Sequence, residues 1–323
     1  MSGKAVGPSA DPQSAITTPR SYEGALPVLR VENRWTIVAA RALSGAASLS
    51  VTAVYAVLLV VVSLRLTALG PRARDVVVSE MSTNLHNLAH GHLGTLVGSA
   101  FVSDGGDVFA WLPGLVCLLA LGELIWRSTG LLITFAVGHI GATLIVAVGL
   151  AAAVEAGWLP VSVARATDVG ISYGAVCVLG ALTASIPSRW RSIWVGWWLG
   201  TAVAAALGAD FTAVGHILAL LLGIGLSFRL PSAARWTPLR VALLVVGAAF
   251  GYFVLCGSSV VPLGGLAGVV VALLASQVLR SRNGDRVHQS ESKSLARSAI
   301  AAATGTVYPA RSLSTRLLRR SVT

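Results

Sequence analysis

The chain has 323 residues, of which 55% are hydrophobic and only 11% charged, with a mean hydropathy of +0.77. That is more apolar surface than a soluble core of this length hides, so its solvent is lipid; open backbone cannot face lipid and no alternating strand pattern occurs, which leaves helices. The formal net charge of +11 is spread over short loops and two tails and forms no single patch, which excludes nucleic acid as the partner it would otherwise suggest.

In chain order, residues 1–34 are rich in Pro, Ser, Gly and Ala without periodicity and lack an apolar stretch beside a basic start. They are predicted to be a disordered cytoplasmic tail without a signal peptide. A transmembrane domain follows over 35–279, with eight predicted spans near 36–64, 108–126, 130–153, 168–186, 192–208, 211–228, 239–256 and 260–279. The Gly, Ser and Pro of Cys256–Pro262 mark a turn between the last two, although Val241–Leu279 also reads as one span plus a re-entrant piece. No internal repeat is evident.

Between the first two spans lies a segment of roughly 65–107 that is too apolar for a free loop. Leu85, Leu88, Leu93 and Leu96 predict a helix lying at the membrane surface, with His86 and His90 on its other face. Beyond Leu279, nine basic residues stand against two acidic ones. The 280–323 segment is expected to be a disordered cytoplasmic tail drawn to anionic lipid, each cation contributing about 1 kcal/mol near the surface.

Eight spans put Arg127, Arg189, Arg191, Arg229, Arg235 and both tails on one side, which the excess of positive charge makes cytoplasmic. On the other side Asp75, Glu80, Asp104, Asp107, Glu155 and Asp168 dilute the arginines. Arg41 is close enough to the cytoplasmic end of the first span to snorkel. Only Lys4 and Lys293 are lysines, which points to a GC-rich bacterial genome and hence a bacterial cell membrane. Cys117, Cys177 and Cys256 all fall in apolar runs without paired spacing and read as buried thiols.

Ionisable residues inside a bilayer are costly, so Glu123, His139 and His216 stand out. Glu123 lies near a cytoplasmic helix end, where Arg127 is its i,i+4 neighbour, and a structural role is expected. His139 is expected to hydrogen-bond a neighbouring helix. The fourth span opens with Asp168 as an N-cap, followed by Gly170 and Ser172 in the first turn, and the sixth opens with Asp210 and carries His216 a turn or two further in. Serine and histidine therefore sit at similar depth on the external side. Nucleophilic catalysis needs that, since a serine hydroxyl reacts only when an imidazole takes its proton. A Gly-x-Ser in such a helix by itself more often marks a close-packing surface.

Over residues 95–228 the chain resembles the six-helix core of the rhomboid superfamily, and is most similar to its divergent actinobacterial members. The run Gly170–Ala181 resembles the family's Gly-x-Ser-Gly helix, with Gly170, Ser172, Gly180 and Ala181 in place. Gly215–Gly223 resembles its histidine helix, with Gly215, His216, Ala219 and Gly223 at the family's spacing. Residues 96–102 and Leu121–Glu123 resemble the approach to, and passage through, its second span.

The resemblance implies an all-α polytopic membrane protein with a six-helix rhomboid-like core and about two extra C-terminal transmembrane helices. It implies Ser172 as nucleophile and His216 as general base, in an intramembrane serine protease that cuts transmembrane helices near the external face. The departures are that Ala110 and Gly114 stand where the family carries an oxyanion-binding His and Asn, and that Tyr173 stands where it has Gly. Two lost oxyanion donors would slow such an enzyme severely, since one is worth about 3–4 kcal/mol in another serine protease. The backbone N–H of Ser172 and its helix terminus would remain.

His86, His90 and His92 are alternative oxyanion or polar-site groups, a polar interfacial face, or, with a third ligand such as His92 or Asp104, a metal pair. The interfacial face is the expectation, with no metal and no cofactor. The alternative function is a catalytically inactive rhomboid-like protein that binds and regulates transmembrane clients. A transporter ranks third, for want of paired broken spans in corresponding halves.

Overall fold

In the computed structural model the residues described, apart from Gly3, are 49–103, 108–169, 171–207, 211–232, 235–255 and 261–303. They lie in the compact unit Gly45–Thr323. The predicted tail over 1–34, most of its junction with the first span, and residues 304–323 fall outside them.

The described chain forms helices α1 (Ser50–Leu69), α2 (Pro71–Met81), α3 (Leu85–Ala89), α4 (Thr95–Gly98), α5 (Val108–Ala136) and α6 (Ala142–Glu155). It continues through α7 (Ile171–Ala181), α8 (Ser188–Ala206), α9 (Phe211–Leu226), α10 (Pro238–Leu255) and α11 (Val261–Ala303). Ser50–Leu69, Val108–Glu155, Pro238–Leu255 and Val261–Leu279 are long and apolar enough to cross a membrane, and Ile171–Ala184 and Phe211–Leu226 are shorter apolar helices. The protein is an all-helical polytopic membrane protein.

Two boundaries differ from the sequence expectation, each for a local reason. α1 extends to Leu69 because only Gly70, at φ +83°, and Pro71 stop it. Arg127, whose φ of 63° and ψ of 174° break the helical path, lies where the break between the second and third spans was expected. A π turn over Val137–Gly141 then links α5 to α6. The external segment is three short helices, α2 to α4, where one surface helix was expected. Asn84 accepts a hydrogen bond from the Asn87 backbone N–H to start α3, and the Asn87 amide donates to the carbonyls of Ser79 and Ser82, folding the chain back.

α11 continues to Ala303, past the apolar span and through part of the segment expected to be disordered. Its Leu, Ala, Arg and Lys residues favour helix wherever tertiary packing does not decide.

Close packing sets the bundle. On α8 and α11 the small residues Gly196, Gly200 and Ala204 face Gly264, Gly268 and Ala272 at four-residue spacing; a Cβ on Gly196 would lie 2.5 Å from the Gly268 carbonyl oxygen. α10 lies against the second span, where Gly247 meets the Leu118 backbone, and Gly251 brings it against Leu179 of α7 and Trp198 of α8. One core of Leu115, Leu121, Tyr173, Leu179, Leu220 and their neighbours binds these helices together.

Candidate active site

The start of α7 is held from the external segment. Thr83 donates its backbone N–H (2.9 Å) and its hydroxyl (3.0 Å) to the Asp168 carbonyl, while the Ser82 hydroxyl accepts the Asp168 N–H at 2.8 Å. Ser82, Thr83 and Asp168 are all buried, so these bonds fix where the fourth span enters the membrane. Gly170 lies outside the described residues, and with it the local geometry of the expected cap.

Ser172 sits in the first turn of α7 and is half-buried. The N–H groups of that turn have no intrahelical acceptor, so the positive end of the helix lies beside the hydroxyl. His216, in the second turn of α9, is buried. α7 with its continuation to Ala184 spans about 21 Å and α9 about 24 Å at 1.5 Å per residue, short of the ~30 Å bilayer core.

Small residues close the distance between the two helices. A Cβ on Gly180 would come 2.5 Å from the Leu220 carbonyl oxygen, and one on Gly223 would run into the Cys177 carbonyl. With the backbones this close, the Ser172 Oγ lies 2.9 Å from the His216 Nε2. That is hydrogen-bonding distance, the arrangement by which an imidazole takes a serine proton.

Tyr173 packs against α9. Its fully buried side chain turns between α7 and α9, where only a glycine at position 215 leaves room for the ring. The ring stands edge-on to the His216 imidazole at 5.3 Å and 79°. The tyrosine that replaces the family's glycine is thus part of the packing around the histidine.

The other sequence candidates are placed elsewhere. Ala110 is exposed on the outer face of the second span. Gly114 faces α10, where a Cβ would be 2.5 Å from the Cβ of Phe250. His86, His90 and His92 are exposed and lie against one another, with ring centroids 4.3 Å apart for His86 and His90 and 6.5 Å for His90 and His92. Among the described residues no group of three or more His, Cys, Asp or Glu is placed to hold a metal ion. Asp104 lies outside them.

Two buried polar sites complete the picture. The Ser99 hydroxyl is 3.2 Å from the His139 Nε2, joining the external segment to the third span at the π turn. Ser99 lies in the short 3₁₀ helix Ser99–Phe101 that follows α4. Glu123 accepts from the backbone N–H groups of Val51 and Thr52 and from the hydroxyls of Thr52 and Ser128, so it caps α1, and its oxygens are not directed to Arg127.

Ser172 also lines a cavity of about 230 Å³. Trp111 of the second span forms one side of it, and Phe250, Phe253 and Val254 of α10 form another. Sequence reasoning missed this α10 wall, because nothing in an apolar run says which neighbour it covers.

No curated protein and no solved structure matches the chain significantly. A family model described as rhomboid-like protein matches residues 46–228, more than half of the chain. Gly180, Gly223 and the Ser172–His216 pair all fall within that region, and the chain belongs to the rhomboid-like protein family.

Proposed function

We propose that the protein is a rhomboid-like intramembrane serine protease that cuts transmembrane helices near the external face of a bacterial cell membrane, with both of its termini cytoplasmic. The observation that carries this reading is the 2.9 Å approach of the Ser172 Oγ to the His216 Nε2 across α7 and α9. In the reaction the Oγ attacks a peptide carbonyl carbon as its proton passes to the Nε2. The C–N bond then breaks, and the same proton goes to the departing amine. Water, activated by the same imidazole, releases the acyl group and restores the serine. Transition-state charge on the oxygen falls to backbone N–H groups at the start of α7 and to its helix terminus.

A second reading keeps the fold without the chemistry: a rhomboid-like protein that binds transmembrane clients and regulates them. The position of Gly114 against Phe250 favours it, because the second span then directs no donor side chain to the oxyanion from that site. In either case the clients are transmembrane helices, and the basic residues after Leu279 provide affinity for anionic lipid.

Labelling by a fluorophosphonate probe in native membranes tests the choice. The protease reading expects labelling that Ser172→Ala abolishes and His216→Ala slows on the order of 100-fold or more. Absence of Ser172-dependent labelling in folded protein selects the client-binding reading.

A further inference from the structure

At the ends of α7 and α9 opposite Ser172 and His216 lies a cavity of about 720 Å³, within the roughly 300–1,000 Å³ of sites that enclose a small molecule. Thr183, just past α7, forms one wall, Phe228, just past α9, a second, and Arg191 and Ser192 of α8 a third. The fourth is α11, through Ala275 and Leu279, a helix beyond the region that the family model matches.

The charge around this space is of one sign. The stretches 183–195, 223–232 and 264–279 that enclose it contain Arg189, Arg191 and Arg229 and no acidic residue. Arg191 is held in place, its Nε donating to the Ile186 carbonyl at 2.8 Å and one Nη to that of Ala184 at 2.9 Å. A guanidinium has five N–H donors, and these two bonds are its only ones among the described residues, so the others are left for a ligand. Thr183 is 8% exposed and its Oγ1 is buried without a partner, a costly state that a ligand oxygen relieves. The hydroxyls of Ser192 and Ser232, also in the lining, are likewise unbonded among the described residues. Phe228 and Leu279 are 83% and 61% exposed and add apolar surface beside the polar groups.

We propose that this cavity binds the headgroup of one anionic phospholipid, with Arg191 and the Thr183 hydroxyl on its phosphate oxygens and the acyl chains over Phe228 and Leu279. Arginine recognises phosphate through charge-assisted bonds in a fixed geometry, and basic pockets between membrane helices take lipid headgroups in this way. Free phosphate satisfies the polar groups but leaves the apolar ones uncovered. The site is separate from the basic residues after Leu279 and does not rest on Ser172 being reactive.

The test uses delipidated full-length protein in neutral detergent, titrated with phosphatidylglycerol, phosphatidylcholine or inorganic phosphate, with bound copies counted by native mass spectrometry. One phosphatidylglycerol is expected to bind at least about tenfold more tightly than the first phosphatidylcholine, and excess inorganic phosphate leaves it in place. Arg191→Gln lowers that affinity about tenfold. Because this change also frees the carbonyls that Arg191 holds, Ala275→Phe is the second variant: it fills the cavity from an exposed position on α11 and is expected to weaken binding as much. Arg240→Gln, at an arginine that donates to the Arg235 and Leu124 carbonyls, leaves the affinity unchanged. So does replacing Arg311, Arg316, Arg319 and Arg320 together by Gln. Equal affinity for the two lipids, displacement by inorganic phosphate, or parent affinity in monodisperse Ala275→Phe overturns the proposal.

Discussion

Glu123 and Thr52 are bonded twice: the carboxylate accepts the Thr52 backbone N–H at 2.8 Å and its hydroxyl at 2.7 Å. The second span thereby supplies, from 71 residues away, the cap that the first span lacks in its own sequence. A carboxylate buried this deeply remains favourable only while its oxygens are filled, and Val51 and Ser128 fill the rest.

Glu123→Ala removes the acceptor for two backbone N–H groups and two hydroxyls in one step. The expected loss is about 3 kcal/mol of stability, with Glu123→Gln losing roughly half of that because one carbonyl oxygen remains. Tryptophan fluorescence during thermal unfolding in detergent reads it directly. A midpoint for Glu123→Ala indistinguishable from the parent would show that α1 is held by other contacts.

The Ser172–His216 pair depends on backbone proximity, which makes a glycine far from the hydroxyl matter. Gly223→Val places side-chain bulk against the Cys177 carbonyl and pushes α9 from α7, whereas Gly225 has open space around it. Fluorophosphonate labelling of Ser172 is expected to fall on the order of 100-fold in Gly223→Val and to stay at the parent rate in Gly225→Val. Equal labelling in the two variants would detach the small-residue packing from the chemistry.

The membrane orientation has its own test. Trp158, in the loop before α7, is 82% exposed and Leu295, on α11 beyond the apolar span, is 71% exposed. In a background without native cysteines, Trp158→Cys in intact cells is expected to react with an impermeant thiol reagent and Leu295→Cys only after permeabilisation. The reverse pattern would invert the protein and move Ser172 to the cytoplasmic side.

Much of the fold was legible because hydrocarbon imposes so strong a constraint: charge-free runs of about 20 residues become helices whatever their neighbours do. The Ser172–His216 pairing was legible through the resemblance of Gly170–Ala181 and Gly215–Gly223 to the family's two helices. Gly180, Ala219 and Gly223 are the small residues that allow two membrane helices to approach, and their spacing is visible in the chain.

Contacts distant in sequence were not legible. Arg127 is the i,i+4 neighbour of Glu123, but its positive φ ends the helix before that geometry is reached, and the capping donors come from α1. Ala110 and Gly114 were readable as missing donors, yet not as an outward face and a seat for Phe250. Tyr173 was readable as a departure from the family's glycine, yet not as a ring received by Gly215.

The most direct measurement is proteolysis itself. A reporter transmembrane helix with a small apolar residue near its external end is co-reconstituted with the protein in vesicles and its fragments are followed by mass. The account predicts one cut near the external face, lost in Ser172→Ala and slowed on the order of 100-fold in His216→Ala. Cleavage that persists in Ser172→Ala, or an intact reporter that remains bound to the folded parent protein, would contradict it.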